Sequence, residues 1–460
     1  MREHRSGRGA RAAAGHRGAG GIGARHRSAR PAAAGDRGQH RRAPCAPHAS
    51  GRAQSPRPGP GRRGGGRTDA GGACPAERDG RSPVTRTLKG RIVTPAGVVD
   101  GSLLIAPDGR IAAIEGRHLP AERVREPGAP LLLPGFIDLH VHGAGGRDIM
   151  EGGDAALQVA RRHAQHGTTA LLATTMTAPI EDLRTSLAPV GELCRSGAAG
   201  AARVLGIHLE GPYINAAKLG AQPPYARPVS LDELKELHEL APVRLLTLAP
   251  EVPGNMEAIP LLTAAGFRVQ IGHTSGTYEQ GVQALEQGAL GFTHLFNAMT
   301  PLQHRMPGMV GAALAHAQYA EVIPDLLHVH PGAIRAALRS IPCLYCVTDS
   351  TAATGMPDGE YRLGRQAVTK CLGGVRLADG TLAGSTLTMD RALRNLVDVV
   401  GVELQDAARR VSTFAAEFLG LADRGRLAPG AWADVVVLDR DLRVQEVFVE
   451  GGSIDVPHAR

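Results

Sequence analysis

The sequence predicts an α/β fold: a (β/α)₈ TIM-like barrel with a small β-sandwich domain built from the two chain ends. Short apolar runs alternate with helix-like stretches from about Leu131 onward, which is typical of repeated βα units and a parallel sheet. Eight such runs occur within about 220 residues, which is the strand count of a barrel. The chain length of 460 residues accommodates a barrel with one appended small domain.

The eight runs are predicted to be the barrel strands, and helical segments are predicted between several of them. The predicted strands cover residues 131–142, 168–175, 204–210, 243–251, 267–273, 291–297, 321–330 and 343–349. Predicted helices include 154–166 and Leu231–Leu240, and the second is preceded by a capping-box pattern of Ser230 and Glu233. The barrel domain is therefore expected to occupy residues 131–420.

Residues 84–130 and 421–460 are predicted to form the small domain together. The first stretch is β-rich between 86 and 115, with hairpin turns expected at 99–102 and 107–110, and the second has turn signals at 429–430 and 450–452. Neither stretch is large enough to bury a core alone, so we expect the two to meet in one β-sandwich. Two helices, at about 386–400 and 404–419, would lead back to it from the last barrel strand.

The first 83 residues are predicted to be a disordered extension. They carry 18 Arg and no Lys against 5 acidic residues, so the remaining chain has 34 basic and 39 acidic residues despite the formal charge of +8. Large apolar residues are almost absent from this stretch, and burial therefore cannot offset the entropy of ordering it. The alternatives are a polybasic arm for nucleic acid, which would need interleaved aromatic residues, and a start codon placed too far upstream.

The composition predicts a cytoplasmic protein without membrane or nucleic-acid partners. No run of 18 apolar residues is present, and no apolar segment of signal-peptide type occurs near the start. The 6 cysteines are too sparse for a disulfide scaffold and suit a reducing compartment.

Six residues with metal-binding or acid–base side chains fall at the ends of predicted strands. His140 and His142 are two apart on a strand and so point to the same side, where two imidazoles can converge on one ion. Such a pair alone is only suggestive, because two satisfied polar residues would give the same pattern. However, four other strands also end in such residues: Glu210, His273, His294 and Asp349. Barrel enzymes build their active sites at that end of the strands.

The motifs around these residues resemble a known family. The segments PGFIDLHVHG, HLEGPY, GHTSGTY, THLFNAM, VTDS and DGTLAGS are similar to those of the N-acetylglucosamine-6-phosphate deacetylases of the amidohydrolase superfamily, and they occur in the family's order. The resemblance extends from about residue 86 to 455. It implies hydrolysis of N-acetyl-D-glucosamine 6-phosphate to D-glucosamine 6-phosphate and acetate by a metal-activated water, in amino-sugar catabolism.

The resemblance also implies roles for the strand-end residues. Glu210, His273 and His294 would hold the principal ion, whereas His140 and His142 correspond to the histidines of family members that bind two. A divalent metal, zinc or iron, is expected with one or two ions per subunit, because imidazole and carboxylate suit these metals. Asp349 is expected to act as the general base and then as the general acid. His208 is predicted to be a hydrogen-bonding group of the barrel interior and not a ligand.

The remaining site residues are carried over from the family. Ala221 and Gln222 would contact the sugar, and Leu382, Ala383 and Gly384 would line the pocket. Backbone N–H groups of Asn297 and Ala298 would bind the phosphate. Arg305 and His328 would supply positive charge, with Arg305 reaching in from a neighbouring subunit of a homodimer as one alternative and being a solvated surface charge as the other.

Two departures from the family pattern lie near the predicted phosphate end. Pro324-Asp325-Leu326 stands where the family usually has Ala-Asp-Gly, and losing the glycine is expected to hinder close backbone approach. Met306 stands where the family usually has Glu. Three alternatives therefore stay open: a deacetylase of N-acetylgalactosamine 6-phosphate, an amidohydrolase with another substrate, and a relative without catalysis.

Overall fold

A computed structural model describes residues 86–457, so the prediction for residues 1–83 lies outside the described residues. The strands of the described part are β1 (Arg86–Thr94), β2 (Gly97–Ile105), β3 (Ile111–Leu119), β4 (Leu131–Pro134), β5 (Phe136–Val141), β6 (Gly143–Ala144), β7 (Arg147–Asp148), β8 (Thr168–Thr174), β9 (Arg203–Glu210), β10 (Val243–Leu248), β11 (Arg268–Ile271), β12 (Gly291–Phe292), β13 (Tyr319–Val322), β14 (Cys343–Cys346), β15 (Gly359–Leu363), β16 (Gln366–Cys371), β17 (Gly374–Arg376), β18 (Val435–Leu438), β19 (Val444–Val449) and β20 (Gly452–Ile454).

The helices lie mainly between the strands of the predicted barrel. They are α1 (Ala155–Ala164), α2 (Ile180–Ser196), α3 (Leu231–Leu240), α4 (Asn255–Ala264), α5 (Tyr278–Glu286), α6 (Gly308–His316), α7 (Pro331–Ser340), α8 (Met389–Arg394), α9 (Leu404–Ala408) and α10 (Phe414–Leu419). None of the helices within residues 86–457 combines the length and the apolar character that crossing a bilayer requires.

A curled six-stranded parallel sheet forms the centre of the molecule, with strand order β5-β8-β9-β10-β11-β12. Strands β5 and β8 are buried along their whole length, as expected for a parallel sheet covered on both faces. Strands β13 and β14 form a separate parallel pair. Backbone hydrogen bonds from Leu295 N to Glu321 O (2.8 Å) and from Asp349 N to His140 O (2.9 Å) connect this pair with the two edges of the sheet.

Strands from the two ends of the described part, residues 86–134 and 435–454, share a seven-stranded sheet with the order β20-β19-β18-β4-β1-β2-β3. The structure corrects the predicted strand 131–142, which is divided at Gly135: β4 belongs to this sheet and β5 to the parallel sheet. A Cβ atom on Gly135 would lie 2.1 Å from Thr169 Oγ1, so the chain passes closely over β8 where it changes sheets. An apolar cluster that includes Ile92, Leu103 and Phe448 lies on this second sheet.

One of the two predicted N-terminal hairpin turns is wrong. Gly101 lies inside β2, where it pairs with Gly90 of β1 and Gly116 of β3. A Cβ atom on Gly101 would lie 1.9 Å from Glu115 O, so glycine serves close strand approach there and not a turn. The second turn is confirmed, with Gly109 N donating to Ala106 O at 3.0 Å.

The helices after the parallel sheet are less regular than predicted. The expected helix 386–400 is α8 followed by a π-helical turn at Asn395–Val400, and the expected helix 404–419 is interrupted by a similar turn at Arg409–Thr413. At α3, Ser230 accepts the predicted hydrogen bond from Glu233 N (3.3 Å). The Glu233 carboxylate instead pairs with Arg227, so only half of the capping box forms.

A three-stranded antiparallel sheet, with the order β15-β16-β17, was not predicted. It follows β14 in the chain, and its Leu363 reaches the cavity described below. Two-residue loops connect its strands at Gly364-Arg365 and at Leu372-Gly373.

Candidate active site

The structure brings the six predicted ligand and acid–base residues together at one end of the parallel strands. Glu210 is the last residue of β9, and His140 lies near the end of β5. The other four follow strand ends in the loops: His142, His273, His294 and Asp349. All six side chains are buried or nearly so, as expected where parallel strands converge.

Glu210 lies at the centre of this cluster. Its Oε1 atom is 3.1 Å from His273 Nε2 and 3.0 Å from His294 Nε2. On the other side, Oε1 is 3.3 Å from His140 Nε2 and Oε2 is 3.1 Å from His142 Nε2. The carboxylate therefore stands between two histidine pairs, which is the geometry of a bridging ligand.

Asp349 faces the first histidine pair. Its Oδ1 atom is 3.3 Å from His142 Nε2 and 3.6 Å from His140 Nε2. Burial raises the pKa of the Asp349 carboxyl, but His140 and His142 lower it more, so that the pKa is about 2. The Asp349 carboxyl is therefore ionised at neutral pH.

Two of the imidazoles have their hydrogens fixed by partners outside the cluster. His140 Nδ1 is 3.1 Å from the Glu321 carboxylate, and His273 Nδ1 is 2.8 Å from Lys218 O. Both partners only accept hydrogen bonds, so each Nδ1 carries a hydrogen, and the Nε2 atom of each ring is the one that faces Glu210 and is left to bind an ion. Lone pairs that face a carboxylate need a positive charge between them. The donor set of imidazole and carboxylate groups therefore fits a divalent cation.

Three of the strand-end residues have left-handed backbone conformations: φ is +47° at His273, +28° at His294 and +49° at Asp349. This conformation costs a residue with a side chain about 1–2 kcal/mol. Hydrogen bonds hold the Asp349 backbone, whose N donates to His140 O (2.9 Å) and whose O accepts from Ser385 N (2.7 Å). Such strain, maintained by surrounding bonds, is a feature of functional sites.

The comparison with known protein families agrees with this geometry. A family model described as the Amidohydrolase family matches residues 131–454. The chain belongs to the amidohydrolase family. The resemblance to N-acetylglucosamine-6-phosphate deacetylases is also confirmed by similar proteins and structures along most of the chain.

Two similar proteins and two solved structures illustrate this. The chain is 40% identical over 381 residues to an N-acetylgalactosamine-6-phosphate deacetylase of Escherichia coli O157:H7, covering 80% of this chain and 99% of the relative. It is 38% identical to an N-acetylglucosamine-6-phosphate deacetylase of Lysinibacillus sphaericus, covering 75% of this chain and 91% of the relative. The Thermotoga maritima N-acetylglucosamine-6-phosphate deacetylase superposes with a TM-score of 0.74 at 32% identity, covering 81% and 100%. A mutant N-acetyl-D-glucosamine-6-phosphate deacetylase from Mycobacterium smegmatis, in complex with N-acetyl-D-glucosamine-6-phosphate, superposes with a TM-score of 0.73 at 36% sequence identity. The superposition covers 79% of this chain and 97% of that one.

In this amidohydrolase a cavity of about 350 Å³ opens above the cluster. Seven of the nine residues predicted to bind substrate line it: Ala221, Gln222, Asn297, Ala298, His328, Leu382 and Gly384. Gln222 also contacts the predicted metal ligand Glu210, since its Nε2 donates to Glu210 Oε2 at 2.6 Å. Its Oε1 accepts from Thr177 N at 2.6 Å, which fixes the amide in that orientation.

Two predicted substrate residues do not reach the cavity. Ala383 is fully buried and packs in a small apolar cluster with Met176 and Val375, behind the cavity wall. Arg305 is exposed and is absent from the cavity lining. Asn297 lines the cavity, but its N–H already donates to His294 O at 3.0 Å, so this N–H is not available to a phosphate as predicted.

The first departure from the family pattern, Leu326, lies in the turn that leads to His328. Leu326 takes a left-handed conformation with φ of +71°, which glycine adopts more easily. The Asp325 carboxylate holds this turn by accepting from His328 N (2.8 Å) and His328 Nδ1 (2.7 Å). Burial lowers the pKa of His328, but Asp325 raises it more, to above its ordinary value. At the second departure, Met306 is 70% exposed.

Sequence reasoning missed several residues that hold the site. Lys218 lines the cavity and accepts from His273 with its carbonyl group, and Glu321 contacts His140. A signal for Glu321 existed, because it is a lone acid in the apolar run of β13. His208 is an interior hydrogen-bonding group, as predicted, with Nδ1 3.0 Å from Leu139 O and Nε2 2.7 Å from Thr247 Oγ1.

Proposed function

We propose that this amidohydrolase hydrolyses N-acetyl-D-glucosamine 6-phosphate to D-glucosamine 6-phosphate and acetate, as a step of amino-sugar catabolism. The observation that supports this most is the Glu210-centred cluster at the floor of a cavity, in a chain that is similar over its barrel region to deacetylases of this substrate. The cavity volume of about 350 Å³ suits a small sugar phosphate.

Glu210, His273 and His294 are proposed to hold the principal ion, and His140 and His142 a second ion that Glu210 bridges. The proposal rests on the Nε2 atoms that point at both carboxylate oxygens. Such an ion, zinc or iron, lowers the pKa of bound water toward about 7 and polarises an amide carbonyl.

Asp349 is proposed to move the proton. The carboxylate is charged at neutral pH and lies at the cavity wall beside His142, where it can accept a proton from the attacking water. The same carboxyl group would then protonate the amine as the amide C–N bond breaks, because an unprotonated amine is a poor leaving group. Gln222, held by Thr177 N, keeps the Glu210 carboxylate oriented during these steps.

The substrate phosphate is proposed to bind at the His328 end of the cavity. His328 lines the cavity, and the Asp325 carboxylate beside it favours the charged imidazolium. The N–H of Ala298, which lines the same wall, would donate to the phosphate. Arg305 is proposed to reach the phosphate from the second subunit of a homodimer, since in its own subunit the side chain is exposed.

The wider organisation is proposed along the predicted lines. The six-stranded sheet and the pair β13-β14 would close into one eight-stranded barrel through the hydrogen bonds at Glu321 O and Asp349 N. Residues 84–130 and 421–460 would form the small domain together with β4 (Leu131–Pro134), and the rest of the predicted range 131–420 would form the barrel domain, in a cytoplasmic enzyme.

A second candidate substrate is N-acetylgalactosamine 6-phosphate. The relative that is 40% identical over 381 residues is an N-acetylgalactosamine-6-phosphate deacetylase, so identity alone does not separate the two sugars. Another amidohydrolase substrate is a more remote alternative. A relative without catalysis is disfavoured, because all six candidate positions hold competent side chains.

The test is acetate release from three substrates by the zinc-loaded and iron-loaded protein: N-acetylglucosamine 6-phosphate, its galacto isomer and unphosphorylated N-acetylglucosamine. We expect the highest kcat/KM with the first. A preference for the galacto isomer or the free sugar would overturn the substrate assignment, and no acetate from any of them would overturn the proposed activity.

A further inference from the structure

Glu321 is a fully buried carboxylate that contacts two of the predicted metal ligands, His140 and His294. It lies on β13 with 0% of its surface exposed. Its Oε2 atom is 3.1 Å from His140 Nδ1 and 3.2 Å from His294 N, and its Oε1 accepts from Tyr345 OH at 3.3 Å. The side chain thus touches one histidine of each pair around Glu210 and is not part of the cavity lining.

We propose that Glu321 is a positioning residue that orients His140 for a second ion, and that it thereby determines whether the site holds two ions or one. This inference rests on the metal site given under the proposed function. Because a carboxylate only accepts hydrogen bonds, Glu321 keeps the hydrogen of His140 on Nδ1 and leaves the Nε2 lone pair facing Glu210 and Asp349. A carboxylate partner also makes the imidazole a more basic ligand.

The other site histidines have weaker outer partners. His273 Nδ1 faces the neutral carbonyl of Lys218, and Nδ1 of both His142 and His294 is buried without a hydrogen-bond partner among residues 86–457. Among these four imidazoles, only His140 therefore has a charged acceptor behind it in the described structure. The second ion position should depend on Glu321 more than the first does.

Glu321 is unsuited to be a ligand of its own ion. His140, His208 and Glu321 lie close enough to suggest a separate metal group. However, both ring nitrogens of His208 are occupied, one by Leu139 O and the other by Thr247 Oγ1. The polar contacts of Glu321 instead continue into a buried network, in which Gln270 Nε2 donates to Tyr345 OH at 2.6 Å. This network fixes the carboxylate in place.

Two substitutions separate the orientation of His140 from the charge behind it. Glu321→Met fills a similar volume but accepts no hydrogen bond from His140. Glu321→Gln retains an acceptor for His140 Nδ1 and His294 N through its carbonyl but removes the charge, and its amide reverses the direction of the bond with Tyr345. Tyr345→Phe is the matched control, since it removes one bond to Oε1 and leaves Oε2 on His140.

The measurement is zinc bound per chain at a series of buffered free zinc concentrations, read by mass spectrometry of metal content. We expect two ions in the native protein and in Tyr345→Phe, and in Glu321→Gln a second ion that binds more weakly than in the native protein but more tightly than in Glu321→Met. In Glu321→Met we expect the second ion to bind roughly 10–100-fold more weakly while the first is retained. In a His140→Ala background, Glu321→Met should weaken zinc binding no further. Native-like two-ion binding by Glu321→Met would overturn the proposal, as would an equal loss with and without His140.

If Glu321→Met does not fold, nitrogen-15 NMR of the histidines in the native zinc-loaded protein decides the question. We expect the His140 hydrogen on Nδ1, and a hydrogen on Nε2 would contradict the proposed orientation. Both readouts are independent of turnover. A protein that binds two ions as expected but releases no acetate would therefore sink the proposed function and leave this inference standing.

Discussion

Glu210 and the imidazoles around it form an arrangement that is costly to bury unless a cation completes it. The Nε2 atoms of His140, His273 and His294 lie between 3.0 and 3.3 Å from Glu210 Oε1. Burial lowers the pKa of His140, but Glu210 and Asp349 raise it well above its ordinary value. Protonation and metal binding therefore satisfy the same atoms. His273, His294 and the neighbouring Asp349 also have strained, left-handed backbone conformations, which the surrounding structure maintains.

Replacing Asp349 tests the proton-transfer role. Asp349→Asn retains an oxygen at the same place but cannot accept the proton of the attacking water. We expect kcat for acetate release to fall on the order of 10²–10⁴-fold while the zinc content stays near the native value. Asp358→Asn, at an exposed aspartate of the following loop, is the control and should leave kcat unchanged. Native kcat in Asp349→Asn would refute the assignment.

Residue-scale prediction from the sequence succeeded where the periodicity of a strand or its end fixes a side chain. The two-residue spacing placed His140 and His142 on one side, and the strand ends located Glu210, His273, His294 and Asp349. It failed for Glu321 and Lys218, whose contacts depend on which strands become neighbours. It also gave no sign of the positive φ values, because those follow from loop packing and not from residue type.

The three-stranded sheet β15-β16-β17 is the element that sequence reasoning did not find. Its strands alternate between exposed and partly buried residues, and its turns are short, so the pattern was too weak to separate from a long loop. The sheet matters for the site because Leu363 at the end of β15 lines the cavity. A related failure at Gly101 came from assuming that Asp-Gly marks a turn, whereas this glycine lets β2 approach β3.

The turn Leu372-Gly373 carries an identifiable strain. Leu372 has φ of +50° and Gly373 has φ of +77°, and a two-residue hairpin turn with both values positive favours Asn-Gly. Leu372 is 95% exposed, so its replacement forfeits almost no packing. We expect Leu372→Asn to raise the free energy of unfolding by about 1 kcal/mol. Denaturant unfolding measures this.

Leu261→Asn provides the control for that substitution. Leu261 is also exposed, at 58%, but lies inside α4 with an ordinary helical conformation. Asparagine is a weaker helix former than leucine, so this change should destabilise slightly. If both variants shift the free energy of unfolding in the same direction, turn strain is not the cause.

At the scale of the whole molecule, the seven-stranded sheet is fixed to the rest of the chain by a buried ionic group. Arg424, in the segment after α10, bonds to Asp434 just before β18 and to Glu450 in the turn between β19 and β20. Arg424 and Asp434 are 6% and 4% exposed. Burial raises the pKa of Asp434 even beside Arg424, so this carboxylate depends on its cation.

Arg424→Leu should therefore destabilise the protein strongly. The change leaves Asp434 buried without its partner, which costs about 3–5 kcal/mol in comparable buried pairs. Arg440→Leu, which removes an exposed arginine paired with Asp441, should change the free energy of unfolding by less than about 0.5 kcal/mol. Equal effects of the two substitutions on thermal unfolding would show that the buried group does not hold the sheet.

Sequence reasoning anticipated the layout of the molecule better than its boundaries. Alternating apolar runs predicted the parallel strands in the right order, and the two chain ends do share a sheet. The division of 131–142 between two sheets was missed, because a continuous apolar run does not reveal that Gly135 crosses from one sheet to the other. The π-helical turns at Asn395–Val400 and Arg409–Thr413 were likewise invisible to helix periodicity.

The central claim is that Glu210 bridges two ion positions between the histidine pairs. Anomalous diffraction at the zinc edge, from crystals of the zinc-loaded protein, measures it most directly. We expect two peaks on opposite sides of the Glu210 carboxylate, one against His273 and His294 and the other against His140 and His142. Crystals with no peak beside Glu210, or with zinc bound only elsewhere on the chain, would contradict it.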